Sequence, residues 1–199
     1  MKSLLALVAC LCASMCLAVE QTGTLQERQQ LRNLWQRAHQ PGHILLVQAA
    51  DASPAGTQEQ GKEHDCYKQM NLTSIGVNRS LRYYRTLRRH DLKQAMVYSS
   101  ENCAAIETAT RLGLGVVHLL PMLNPQLVNN YVDGLQGQAL KGWIMEQPLN
   151  QPLVLVTQRA NIVDLAGVVP EPDHATLLSF DENGYLVAIG VLPLLELIR

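Results

Sequence analysis

The chain alternates between short unbroken apolar runs and longer stretches in which apolar residues recur every third or fourth position. "HILLV" (43–47), "AMVYSS" (95–100), "GVVHLL" (115–120) and "PLVLVT" (152–157) lack the alternation of half-exposed strands, and read as strands covered on both faces. Leu31, Leu34, Trp35 and Ala38 fall at helical spacing behind Thr24-Leu25-Gln26-Glu27, a capping-box pattern, and Pro41-Gly42 ends that helix. Ile75, Leu81, Tyr84 and Leu87 predict a second helix capped by Thr73, with Arg88, Arg89 and His90 at the negative end of its dipole. Further helices are predicted over about 102–112, 126–140 and 160–165, and "ATLLSF", "DENG" and "YLVAIGVL" form a hairpin. The polar stretch from Ala52 to Lys68 reads as a long loop. Strands alternating with helices predict an α/β, three-layer sandwich: a mainly parallel central sheet with helices on both faces.

Composition narrows the class. With 199 residues, 47% apolar and a formal charge of −1, the chain fits one soluble domain and offers no electrostatic case for nucleic acid or an anionic membrane. The first residues stand apart. Lys2 precedes the apolar run "LLALVACLCASMCLA", too short to span a bilayer comfortably, which ends in the small-x-small pattern Cys16-Leu17-Ala18. Residues 1–18 are expected to be a cleaved signal peptide, giving a periplasmic or secreted protein with no membrane contact after cleavage. A lipidated reading through Leu7-Val8-Ala9-Cys10 is the alternative. Export leaves Cys66 and Cys103 as the mature cysteines, either a disulfide or two buried thiols. The histidines are too scattered for a zinc motif, so neither metal nor cofactor is expected. The arginines at 79, 82, 85, 88 and 89 read as a solvated helix face.

Three apolar strands run into small or polar turns: "HILLVQAADA", "VYSSENCAAIETATRLG" and "PLVLVTQRANIVDLAGVVP". In open α/β sheets, ligands bind beyond such carboxyl ends. With "DCYKQMNLT" ahead of the second helix, these stretches resemble the histidine phosphatase superfamily (phosphoglycerate mutase-like fold), and within it a small exported bacterial branch. The resemblance covers roughly residues 42–192, so the expected organisation is an N-terminal helix over 19–41, read from its spacing, and a histidine-phosphatase-like domain over 42–199.

In active members of that family the first strand ends in Arg-His, whose histidine carries the phosphoryl group. A second arginine lies in Ser-Ser-x-x-x-Arg-Ala, and a second histidine follows the last parallel strand. Carried over by the resemblance, these positions are Gln48, Ala49, Ala104 and Gln158, and Met70 stands where the branch often has another arginine. An alanine methyl cannot become a nucleophile, and neutral amides lack the bidentate cationic fork that phosphoryl transfer uses. The expectation is therefore a chain that is not an enzyme, either a natural pseudoenzyme or a knocked-out phosphomonoesterase. It would retain at most weak binding of a small phosphate-containing ligand through helix amino termini. The alternatives are a phosphomonoesterase using non-standard residues, or a binding or partner-docking module. Asp51, Asp65, Ser99, Glu107 and Arg159 are the pocket candidates, and His174 is weighed as a turn histidine. The resemblance brings Cys66 and Cys103 to the pocket rim.

Overall fold

The computed structural model describes residues 25–52, 71–124 and 135–195. In chain order the described elements are helix α1 (25–38), β1 (His43–Gln48), α2 (Ser74–Arg89), β2 (Met96–Ser99), α3 (Cys103–Leu112), β3 (Val117–Leu119), a 3-10 turn (Pro121–Leu123), α4 (Leu135–Met145), β4 (Leu153–Thr157), α5 (Arg159–Ala166), β5 (His174–Phe180) and β6 (Leu186–Pro193).

The sheet order is β3-β2-β4-β1-β5-β6. Its first four members are parallel, while β5 and β6 run antiparallel to their neighbours. This is the α/β sandwich expected from the patterning. The strands do not alternate because both sheet faces are covered. Leu45 and Val47 of β1 face a core that includes Trp35, Tyr83, Leu87, Ala105 and Leu112 from α1, α2 and α3. Ile44 and Leu46 face the opposite core with Leu140, Ile144, Ile162 and Leu165 from α4 and α5. The two central strands β1 and β4 thus need apolar side chains at odd and even positions alike.

Helix α1 is drawn onto the first of these cores. Trp35 lies flat against His90, with ring centroids 4.1 Å apart. Leu34 fills the space over Gly190, where a side chain would collide with it.

Several boundaries differ from expectation. The described part of the fourth helix begins at Leu135 and continues past Leu140 to Met145, because Ile144 is drawn into the core. The region from Gln126 to Gly134 lies outside the described residues, as do Thr24 and the Ala52–Lys68 loop beyond Ala52. Strand β3 is shorter than "GVVHLL" because it is an edge strand, paired only with β2 in the sheet, and His118 and Leu119 stand exposed. The hairpin forms as expected: Asp181 N–H donates to Tyr185 O at 2.9 Å, and Gly184 supplies the left-handed residue (φ 79°).

Candidate functional site

The parallel strands β1, β2 and β4 end side by side, and their ends are tied to the following helices. Ala49 N–H donates to Thr157 O at 2.9 Å, and Ser100 N–H to Val156 O at 3.0 Å. Ala50 N–H donates to the buried Thr108 hydroxyl of α3 at 3.0 Å, while that hydroxyl donates to Ala104 O at 2.7 Å. Asn102 caps α3 by accepting from Ala104 N–H. Behind β4, the Asn161 amide donates to Leu123 O and to the Thr157 hydroxyl, both at 2.7 Å. The small and polar residues of these stretches are therefore tethers that hold three strand ends in register.

The four positions that the resemblance marks lie at these ends. Gln48 closes β1 and Ala49 follows it, each partly exposed. Ala104 is buried, 2% exposed, in the first turn of α3. Gln158 is the N-cap residue of α5 but makes no side-chain capping bond.

A pocket of about 280 Å³ opens beside the end of β1, lined by Gln48, Ala49, Ala50, Asp51, Arg79, Tyr83, Pro172, Asp173, His174 and Leu194. Helix α2 supplies its cation. Thr73 caps α2, accepting from Gly76 N–H at 3.0 Å, and its own N–H donates to Asp51 O at 3.0 Å. Gly76 packs so tightly on the Asp51 carbonyl that a methyl group has no room there. One turn on, Arg79 Nη1 donates to Asp51 Oδ2 at 2.6 Å, and its Nε stands 3.5 Å from Asp173 Oδ1. The Tyr83 hydroxyl donates to Asp173 Oδ1 at 2.6 Å. Burial, and then the Asp173 carboxylate accepting its proton, push the Tyr83 phenol far above its usual range. His174 Nδ1 lies 2.7 Å from Pro172 O. A carbonyl can only accept, so Nδ1 carries the proton and Nε2 is the basic nitrogen of the neutral ring.

The other sequence-based candidates fare unevenly. Asp51 lines the pocket as expected. Ser99 does not line it: it is fully buried, and its hydroxyl donates to Ser100 O. Glu107 is structural, its carboxylate accepting from Arg111 and from Leu72 N–H. Arg159 is exposed at the start of α5, outside the pocket lining. Asp65, Met70 and Cys66 lie outside the described residues. Cys103 is buried.

Sequence reasoning missed Arg79, Tyr83 and Asp173. In sequence Arg79 reads like the other arginines of one solvated face. Arg82 and Arg85 are indeed exposed, and Arg88 bonds Gly113 O across Tyr84. Only the fold brings Asp51 and Asp173, on either side of it in sequence, to Arg79. His174, read from sequence as a turn histidine, is instead the first residue of β5 and lines the pocket.

No protein-family model and no curated protein sequence matches the chain. Solved structures do. The alpha-ribazole phosphatase from Shigella flexneri superposes with a TM-score of 0.59 at 13% identity, covering 79% of this chain and 99% of its own. The protein histidine phosphatase SixA complexed with tungstate gives 0.56 at 16% identity, covering 76% and 97%. A phosphoserine phosphatase variant from Entamoeba histolytica, complexed with phosphoserine, gives 0.55 at 15%, covering 76% and 97%.

These likenesses correct the expectation that the chain is not an enzyme. The neighbours are phosphatases. Four changed residue types do not establish lost activity where an arginine, a histidine and two carboxylates line a pocket at the same strand end. The sheet order, the tethered strand ends and the superpositions agree: this chain has the histidine phosphatase, phosphoglycerate mutase-like fold.

Proposed function

We propose a phosphatase-like function: the chain takes a phosphate monoester at the carboxyl end of β1 and hydrolyses it without a phosphohistidine at position 49. The observation that carries this reading is the pocket at that strand end, which places His174 beside Gln48 and Ala49 in a fold whose neighbours are phosphatases. Position 49 offers no nucleophile, so water attacks phosphorus directly. A bond forms between water oxygen and phosphorus as the ester P–O bond breaks. His174 Nε2 takes the water proton and returns it to the leaving alkoxide. The Nδ1–H contact with Pro172 O holds the ring in the tautomer this requires. Residues 1–18 form a cleaved leader in this reading, so the reaction takes place in a periplasm or outside the cell.

The test is a progress curve on an aryl phosphate with the purified chain, alongside His174→Asn. Saturable hydrolysis that the substitution lowers at least about tenfold supports the reading. Absence of turnover in the parent chain, or an unaffected His174→Asn, removes it.

A further inference from the structure

We infer that Arg79 is the phosphate-gripping residue of this pocket, and that Asp51 and Asp173 act as positioning residues that aim it. The inference rests on the proposed phosphate-monoester reading and names the group that would hold the phosphate oxygens.

The family-like positions leave the strand ends without charge: Gln48, Ala49, Ala104 and Gln158 are all neutral. Among the pocket's lining residues, Arg79 is the one with a permanent positive charge. It reaches the same strand end from α2. A guanidinium carries five N–H donors in a rigid fork. Asp51 occupies one on Nη1, and Asp173 faces Nε. The second Nη1 hydrogen and both on Nη2 meet no partner among the described residues. These lie at the distal end of the fork, in a side chain 34% exposed, and suit two oxygens of a tetrahedral anion.

The clamp comes from two elements that flank the pocket. Asp51 is fixed from behind, its carbonyl accepting from Thr73 and packing on Gly76. Asp173 is held by the buried Tyr83 hydroxyl, and its carbonyl accepts from Leu194 N–H at 2.8 Å. Its backbone sits at φ 60°, a left-handed conformation kept where surroundings enforce it. An arginine held this way has lost its rotamer freedom before the ligand arrives, which favours binding.

Two carboxylates beside a phosphate site repel the ligand. If they served only as charges, removing one would tighten binding. If they aim Arg79, removing one loosens it. That difference in sign separates the two roles.

The experiment measures binding of inorganic phosphate to the folded full chain by calorimetry, at fixed pH and ionic strength. Arg79→Gln weakens binding at least about tenfold, Arg79→Lys recovers part of the loss, and Arg82→Gln, on the exposed face of the same helix, binds as the parent does. Asp173→Asn weakens binding although it removes a negative charge; Asp51→Asn, at a more exposed position, provides the same test if Asp173→Asn does not fold. Unchanged binding by Arg79→Gln in a chain that does bind phosphate overturns this inference and leaves the phosphatase-like reading standing. A parent chain that neither binds phosphate nor turns over aryl phosphate overturns both. Tighter binding by the aspartate variants overturns the positioning role.

Discussion

The Tyr83 hydroxyl donates to Asp173 Oδ1 at 2.6 Å, joining the inner face of α2 to the residue that precedes β5. Tyr83 is almost fully buried, 3% exposed, among the side chains between α2 and the sheet. It also lines the pocket. The bond couples packing to the site: core burial fixes the ring, the ring fixes Asp173, and Asp173 faces Arg79. A phenol has two faces of this kind, an apolar body and a donor at its end.

This arrangement makes stability fall at alkaline pH. The phenol pKa is raised in the folded chain, chiefly by burial and then by Asp173. The folded state therefore keeps a proton that the unfolded chain releases, and the contribution is full below about pH 10 and lost as pH rises above it. Urea unfolding at about pH 9 and about pH 11 measures the drop. Tyr83→Phe makes it smaller. Equal slopes in the parent and the variant would rule out the coupling.

Gly76→Ala should strain the junction between β1 and α2. The added methyl meets the backbone carbonyl of Asp51, which cannot rotate away as a side chain would. A loss of about 1–3 kcal/mol is expected, with weaker phosphate binding because Asp51 shifts away from Arg79. Chemical denaturation and calorimetry of the same preparation test both effects.

Thr108→Val removes the hydroxyl that accepts from Ala50 N–H and donates to Ala104 O. Valine keeps the shape, so the change isolates the hydrogen bonds. With Ala50 7% exposed and Thr108 fully buried, the freed amide has no ready access to water. The expected cost is about 1–3 kcal/mol. A stability within a few tenths of the parent's would show that the tether is dispensable.

Joint replacement of Gln48→Arg, Ala49→His, Ala104→Arg and Gln158→His should raise aryl phosphate turnover about 100-fold or more and form an acid-labile phosphohistidine at 49. Single changes should do little, since such groups act as a unit. The buried Ala104 site makes the arginine there costly, about 1–3 kcal/mol in packing, so a melting curve accompanies the assay. A folded quadruple variant without phosphohistidine would mean that the strand ends do not bring these positions together.

Cys66 and Cys103 are the expected disulfide pair. That bond would close a loop of about 38 residues and contribute roughly 4 kcal/mol by the chain-entropy model. Non-reducing peptide mapping should recover one peptide pair joining the two positions, and reduction should lower the melting temperature. Recovery of Cys103 joined to a different cysteine would reassign the bridge.

The sequence by itself determined the layers and the strand ends. Unbroken apolar runs such as "LLV" and "LVLV", short and bounded by turn residues, fit strands covered on both faces, and Thr73, Asn102 and the "DENG" turn carry their geometry in adjacent residues. The family resemblance picked out Gln48, Ala49, Ala104 and Gln158, and the structure adds the local tethers among Ala50, Thr108 and Ala104. Tertiary structure alone decided which charges meet. Arg79 looks like its neighbours Arg82 and Arg85 along the chain, yet Asp51 and Asp173 claim it. Ser99 and Glu107 look like pocket residues, yet one is buried in the sheet and the other bonds its own helix. Helix and strand periodicity record which face a residue occupies, whereas a salt bridge depends on the distance between elements separated by tens of residues. That distance is set by how α2 and the turn before β5 pack around the end of β1.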